Sequence, residues 1–379
     1  MKILNCCSVF FSVPIFFDNQ IGYFTSKGYD VHLVCSPSDG KLEKYAKSQN
    51  CNFKEIEISR NFSIFKDLYA LYHLIKLIHK ERFNVISGHS PKGALLSIVA
   101  GFICRTNKRI YFRHGLVFET SIGLKKQILI VADKLTSRLS TIIVNVSPSV
   151  HAKSQLLNLN QKKRTLILNK GTCNGIDLQK FNSGSVDEHL LSELKEKFDL
   201  NNNQVIGFVG RLVKDKGVEE LVEAFLRLNQ KNPKTKLLII GVFELNDRIS
   251  DKTEKIIQNH SNIIHLNNIQ HVNIHNYYAL MDVFVLPSYR EGFPTVILEA
   301  SSMKLPVITT KNTGCIDSIV ENSTGVFTAL NSEDINDKLQ ELLLDPKKMK
   351  KLGSNGRVFI EENFDQFIIW SLIEKLYNL

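Results

Sequence analysis

Short runs rich in β-branched and aromatic residues alternate along this chain with segments whose apolar positions recur every three to four residues. "KILNCCSVF", "DVHLVCS", "NVISGHS", "RIYFRHG" and "TIIVNVS" read as strands. Between them, "FDNQIGYFTSKG" reads as a helix stopped by Gly28, "FKDLYALYHLIKLIHKERF" as a long amphipathic helix, and "KGALLSIVAGFIC" as a buried one. A polar stretch, "NGIDLQKFNSGSVDEHL", then has the composition of a linker, and the pattern restarts. "QVIGFVG", "KLLIIG", "NIIHL", "VFVLPS" and "PVITT" are strands; "GVEELVEAFLRLNQ", "HNYYALMD" and "PTVILEASSM" are helices. Strand and helix in alternation imply right-handed βαβ units and parallel sheets. The expected organisation is an α/β fold of two Rossmann-like domains, over 1–180 and 181–362. The amphipathic end within 363–379 could pack on either.

Length agrees, since 379 residues exceed what one core usually serves. With 43% hydrophobic and 23% charged residues the chain is globular. Its apolar start carries only Lys2 ahead of it and no small-residue cleavage site, so a buried strand and loop are expected there rather than a signal peptide. No apolar run reaches the ~18 to 20 residues of a membrane span. The seven cysteines form no CxxC pair, which points to buried thiols in a reducing cytosol and no structural metal. Charge is divided unevenly. Up to Lys180 there are 26 Lys and Arg against 11 Asp and Glu; beyond it, 22 against 27. Such a split fits two surfaces meeting different partners, and also an arbitrary solubilising excess of lysine.

Ligands of open parallel sheets bind beyond the carboxyl ends of the strands. Three stretches of the second half fall there. "GFVGRLVKDKG" places Gly210, Arg211 and Lys216 before a helix, a setting for a diphosphate or a solvated turn; the spacing is not that of a Walker loop. In "REGFPTVILE", Glu291 and Glu299 flank a turn that enters a helix, with Pro294 suited to its first turn. The pair reads either as a strand end and a helix surface position, or as acceptors for vicinal sugar hydroxyls beside the backbone N–H groups of Phe293 to Val296. In "TGCIDS", Gly314 either shapes an ordinary turn or brings backbone to a ligand. Two carboxylates also serve glycosidases, but Arg211 and Lys216 suit a diphosphate leaving group better than cleavage by water.

"GFVGRLVKDKGVEELVEAF" and "VFVLPSYREGFPTVILEASSMKLPVITT" resemble glycosyltransferase family 4, retaining enzymes of the GT-B fold, in which two Rossmann-like domains face a central cleft. "CNGIDLQKF" is similar to the family's inter-domain segment; "GYDVHLVCS", "GHSPKGALLSIVAG" and "YFRHG" extend the likeness more loosely into the first half. The resemblance implies that Glu299 binds the ribose hydroxyls of a nucleotide. Glu291, with Gly292, Phe293, Pro294 and Thr295, would hold the donor sugar, while Arg211 and Lys216 neutralise the departing diphosphate. His114 aligns with the family's active-site histidine, although a histidine after an aromatic strand is by itself more often structural. Two departures stand out: "SVFFSVPIFF", Ser8 to Phe17, replaces the usual glycine-rich first loop, and Asn268 stands where glycine is common near the base-binding turn.

The resemblance is strongest to the branch that builds bacterial capsule, O-antigen and glycoprotein glycans. It implies transfer of a hexose or N-acetylhexosamine from a nucleotide sugar, UDP-linked by expectation, to a polyprenyl-diphosphate-linked saccharide, by a cytoplasmic enzyme peripheral on the inner face of the membrane. No cofactor is expected and no DxD metal motif stands out, so metal independence is expected; no nucleic acid is implied. "FKDLYALYHLIKLIHK" and "GLKKQILIVADKLTSRL", which includes Lys125 and Lys126, interleave bases with apolar residues, either as an anionic-membrane surface or as core stripes edged with lysine. The alternatives are a GT-B nucleotide-sugar 2-epimerase and a non-catalytic nucleotide-sugar-binding partner. A dinucleotide dehydrogenase is disfavoured because no GxGxxG follows the first strand.

Overall fold

The computed structural model describes all residues except 60–62, 161–163, 245, 246, 268 and 270, so Asn268 lies outside the described residues. The chain forms two compact units, Met1–Asn174 with Ile369–Leu379, and Gly175–Ile368.

In the first unit, β1 (Lys2–Cys6), β2 (Asp30–Cys35), β3 (Asn52–Glu55), β4 (Val85–Gly88), β5 (Lys108–Arg113), β6 (Ile142–Asn145) and β7 (Thr165–Leu166) form a parallel sheet ordered β3-β2-β1-β4-β5-β6-β7. Leu4, Cys6, Val34 and Ile86 from one face pack against Ala70, Leu74 and Ile78 of the helix Ile64–Glu81 and Leu96 and Ala100 of the helix Pro91–Ile103. The last helix, Gln366–Asn378, joins this unit from Ile369 onward. Its buried Ile369, Trp370, Ile373, Leu376 and Tyr377 recur at helical spacing, and the Trp370 indole donates to Asn174 Oδ1 at 2.8 Å.

Two of the elements that differ from the sequence reading have a clear physical cause. The first strand ends at Cys6, and "SVPIFF" is a helix, Ser12–Phe17. Its aromatic composition resembles a strand, but Pro14 falls in the first turn, where the missing N–H has no intrahelical partner to lose. The edge strand β3 is exposed throughout and so has no apolar face to signal it.

In the second unit, β8 (Gln204–Val209), β9 (Thr235–Ile240), β10 (Ile263–Leu266), β11 (Val283–Leu286), β12 (Val307–Thr310) and β13 (Gly325–Thr328) form a parallel sheet ordered β10-β9-β8-β11-β12-β13. Most of these strands are buried along their length, which is why they read as continuous apolar runs. From Gly175 onward the "NGID" stretch belongs to this unit: Ile176 N–H donates to Phe364 O at 2.8 Å, and Gln366 N–H returns a bond to Ile176 O at 3.0 Å.

One buried charge ties the first unit together. Arg113, at the end of β5 and 0% exposed, pairs with Asp133 of the helix Gly123–Leu139 at 2.5 Å. It also donates to Asn145 Oδ1 at 2.9 Å, Asn160 Oδ1 at 2.6 Å and Ser137 Oγ at 2.6 Å. Removing one partner strands a charge away from water. Asp133→Ala should therefore lower unfolding free energy by about 3–5 kcal/mol in urea titration. An unchanged midpoint would mean that the guanidinium finds water.

Candidate active site

Strand order reverses between β8 and β11, which pair directly through Val283 with Ile206 and Phe284 with Gly207. The loops leaving these two strands therefore emerge side by side, the place where open α/β sheets bind ligands. Gly217 makes the approach close. Its φ is +68°, and a Cβ there would run into the Pro287 carbonyl, so only glycine lets the first loop lie against the second.

This closeness joins Lys216 to Glu291. The Lys216 ammonium donates to Glu291 Oε1, which also accepts from Ser288 Oγ at 2.8 Å. The two side chains are only 16% and 11% exposed, so the pair is weakly screened. From the third loop, Thr313 O accepts the Glu291 N–H at 2.8 Å. Gly314, at φ +79°, lies so near that an added Cβ would meet Glu291 O at 2.6 Å. The glycine thus brings its loop against the Glu291 backbone. Beside it, burial first and the Glu291 charge second push the Cys315 thiol up to about 12. Arg290 is anchored on Asp215 at 2.7 Å, a further tie between the first two loops. Arg211 is bound elsewhere, to Glu244 Oε2 at 2.8 Å, beyond the end of the neighbouring β9.

Glu299 lies on the helix Thr295–Ser302 and is 6% exposed, so it is no surface position. The hydroxyl of fully buried Tyr278 donates to its Oε2 at 2.7 Å. Pro294 stands one place earlier than expected, at the cap of this helix rather than inside it, and no side chain caps that end. The first-turn N–H groups from Thr295 onward are those a ligand anion could take. Phe293 packs against Phe364, ring centroids 5.3 Å apart, which fixes the turn formed by Gly292 and Phe293.

His114 belongs to the first unit, immediately after Arg113. Its Nε2 hydrogen-bonds His89 Nδ1 at 2.9 Å, its Nδ1 faces Cys173 Sγ at 3.6 Å, and Phe16, on the helix Ser12–Phe17 that follows the atypical first loop, stacks on the ring at 3.7 Å. That loop is also tied to the start of the helix Pro91–Ile103: Ser8 Oγ lies 2.8 Å from Ser90 Oγ and accepts the Gly93 N–H at 3.0 Å. Burial lowers the His114 pKa to about 3 and holds His89 well below its usual range, so both rings are neutral near pH 7. Sequence reasoning gave no role to Tyr278, Ser288, Glu244 or His89. Tyr278, Glu244 and His89 act across separations of 21, 33 and 25 residues, and Ser288, three residues before Glu291, lies in a loop with no periodic pattern to mark it. Among the described residues no three His, Cys, Asp or Glu side chains are grouped to hold a metal ion.

A family model described as "Glycosyl transferases group 1" matches residues 192–359, and one described as "Glycosyl transferase 4-like" matches residues 7–147. Over 379 residues the chain is 35% identical to the capsular polysaccharide biosynthesis glycosyltransferase CapM of Staphylococcus aureus, covering 100% of this chain and 97% of that protein. Over 364 residues it is 29% identical to the UDP-Gal:alpha-D-GlcNAc-diphosphoundecaprenol alpha-1,3-galactosyltransferase of Escherichia coli, covering 93% and 88%. The crystal structure of HepE of Anabaena, in complex with UDP and glucose, has the same fold, with a TM-score of 0.84 over 100% of both chains at 18% identity.

The neutral histidine pair has a pH signature. Between the ordinary histidine pKa near 6.5 and about 3, the unfolded chain binds a proton that folded His114 refuses. Stability is therefore complete above 6.5 and falls as pH drops toward 3, by at most about 1.4 kcal/mol per pH unit for each such ring. His114→Gln should flatten this acid limb in urea titrations at pH 7, 6 and 5; an identical slope would count against the neutral ring.

Proposed function

The chain belongs to glycosyltransferase family 4 and has the GT-B fold, and we propose that it moves a hexose or N-acetylhexosamine from a UDP-sugar to a hydroxyl of a polyprenyl-diphosphate-linked saccharide. Transfer retains the anomeric configuration and serves cell-surface polysaccharide assembly. The observation that carries this reading is the Lys216–Glu291 pair at the switch point of the second sheet, with buried Glu299 on the helix that follows.

In this reading the diphosphate takes Lys216 and Arg211 as counter-charges and the N–H groups opening the helix Thr295–Ser302 as donors. Charge accumulates on the diphosphate as the bond to the anomeric carbon breaks, so contacts aimed there lower the barrier. The acceptor oxygen bonds to that carbon, its proton leaving with the diphosphate. Glu291, with the Gly292 to Thr295 turn, receives hydroxyls of the donor sugar, and Glu299 those of the ribose. His114 takes part from the first unit as a neutral ring. Cationic side chains and helix N–H groups supply what a metal ion would, and the reaction is metal-independent.

The acceptor's carrier is a lipid, and two helices of the first unit suit a membrane surface. Ile64, Phe65, Leu68, Tyr69 and Tyr72 make one exposed stripe, Phe65 being 88% exposed. Leu124, Ile128, Val131 and Leu135 make another, beside Lys125 and Lys126. Both helices flank Pro91–Ile103, and these stripes are not core. Bases edging bulky apolar side chains fit an anionic lipid interface, here the inner face of the cell membrane. Among the described residues no helix is long and apolar enough to cross a membrane.

The decisive assay offers the enzyme a panel of UDP-sugars with a polyprenyl-diphosphate sugar and reads products by mass. One UDP-sugar should add one residue, undiminished by EDTA. Lys216→Ala or Arg211→Ala should lower turnover more than about 100-fold, the scale of a lost contact to a charged leaving group. Near-normal turnover in both variants, or activity restored to a chelated enzyme only by Mg2+, would refute these roles.

The surface is tested by co-sedimentation. The protein should pellet with anionic vesicles at low salt and be released at high salt, because each cation near the surface contributes about 1 kcal/mol and the field fades within a Debye length. Lys125→Glu with Lys126→Glu should weaken pelleting while UDP affinity is kept. Failure of the parent protein to pellet would favour a soluble acceptor.

A further inference from the structure

We propose that Tyr278 is the positioning residue for the nucleotide's ribose: its hydroxyl fixes the Glu299 carboxylate in the orientation that receives the ribose hydroxyls, and so sets the enzyme's preference for a ribonucleotide donor. The inference rests on the ribose role of Glu299 proposed above.

Tyr278 ends the short helix Ile274–Tyr278 and is fully buried, its ring 6.2 Å from that of Phe181 and 5.9 Å from that of Phe284. Packing therefore fixes the ring, and the ring fixes the hydroxyl. Two acceptors lie within reach, Glu299 Oε2 at 2.7 Å and the Val296 carbonyl at 3.4 Å. A hydroxyl has a single proton, and the short contact to the carboxylate takes it. Burial foremost, then the adjacent Glu299, raises the Tyr278 pKa well above its usual value, so the group remains a donor.

A glutamate side chain has three rotatable bonds, and a carboxylate free to turn would lose that freedom when a ligand arrives. The bond from Tyr278 restricts it beforehand. With Oε2 held, the plane of the carboxylate is set against a rigid aromatic rather than by the ligand, which is how a neighbouring group confers geometric selectivity on a binding side chain. Tyrosine serves here where phenylalanine would pack as well, and the hydroxyl is what the ribose site uses.

The experiment measures binding of UDP and of 2′,3′-dideoxy-UDP to the full-length protein by calorimetry, for the parent, Tyr278→Phe, Glu299→Gln and the double variant. The phenylalanine ring retains the packing between Phe181 and Phe284. The parent should prefer UDP over the dideoxy compound by tenfold or more. Tyr278→Phe should weaken UDP about tenfold, the scale of a hydrogen bond to a charged group, while leaving dideoxy-UDP within about twofold. Its donor KM should rise with little change in kcat, because the contact acts on binding in ground and transition states alike. If Tyr278 works through Glu299, the double variant should bind UDP no more weakly than Glu299→Gln alone. An unchanged UDP preference in Tyr278→Phe, alongside a loss in Glu299→Gln, overturns the positioning role and leaves the ribose reading standing. Additive losses in the double variant likewise overturn it. A parent that binds both nucleotides equally, or a Glu299→Gln variant that binds UDP normally, removes the ribose reading and this inference with it.

Discussion

The direct pairing of β8 with β11 is the constraint on which the second unit's chemistry depends. Strands that follow each other in sequence normally sit together, yet here two consecutive βαβ steps run outward from β8 on one side, and the chain returns to lay β11 on the other. Backbone hydrogen bonds between these two strands hold their ends at neighbouring positions. The loops that leave them have no room to diverge, and Gly217 removes the last side chain that would keep them apart. Lys216 and Glu291, 75 residues apart in sequence, meet for that reason.

The molecule uses buried charge in two contrasting ways. Arg113 is surrounded by Asp133, two asparagines and a serine, so its guanidinium is saturated and acts as a rivet joining β5, β6 and the helix Gly123–Leu139. Breaking such a set costs more than it contributed, since desolvation has already occurred. Lys216 and Glu291 sit beyond the carboxyl ends of the two central strands, still partly reached by solvent, with Ser288 as an added donor. The first arrangement suits permanence and the second suits exchange.

Ten of the thirteen strands among the described residues were legible because buried parallel strands leave continuous apolar runs, as in "KLLIIG", and helices such as "GVEELVEAF" because their apolar positions recur at helical spacing. Elements without them were hidden: the exposed strand β3, and the helix Ser12–Phe17 whose aromatic residues look extended. The spacing of Glu291 and Glu299 around a turn singled out both carboxylates, but their immediate surroundings were not readable. Tyr278 reaches Glu299 from 21 residues upstream, and Glu244 reaches Arg211 from 33 downstream, through the sheet rather than through any local pattern. Gly314 was legible as a tight turn, while the close approach it permits became evident only with Glu291 in place.

The ion pair at the switch point also bears on how the site empties. A carboxylate fixed beside an ammonium competes for it at an effective concentration far above that of any free anion in solution. An anion arriving at Lys216 must displace Glu291, and one that leaves is replaced at once by the same group, without waiting for water or counter-ions to reorganise. Under the proposed role of Lys216, the same carboxylate that yields to an incoming diphosphate would shorten the residence of a spent one. On that proposal the pair would act as a built-in eluent, trading some affinity for turnover.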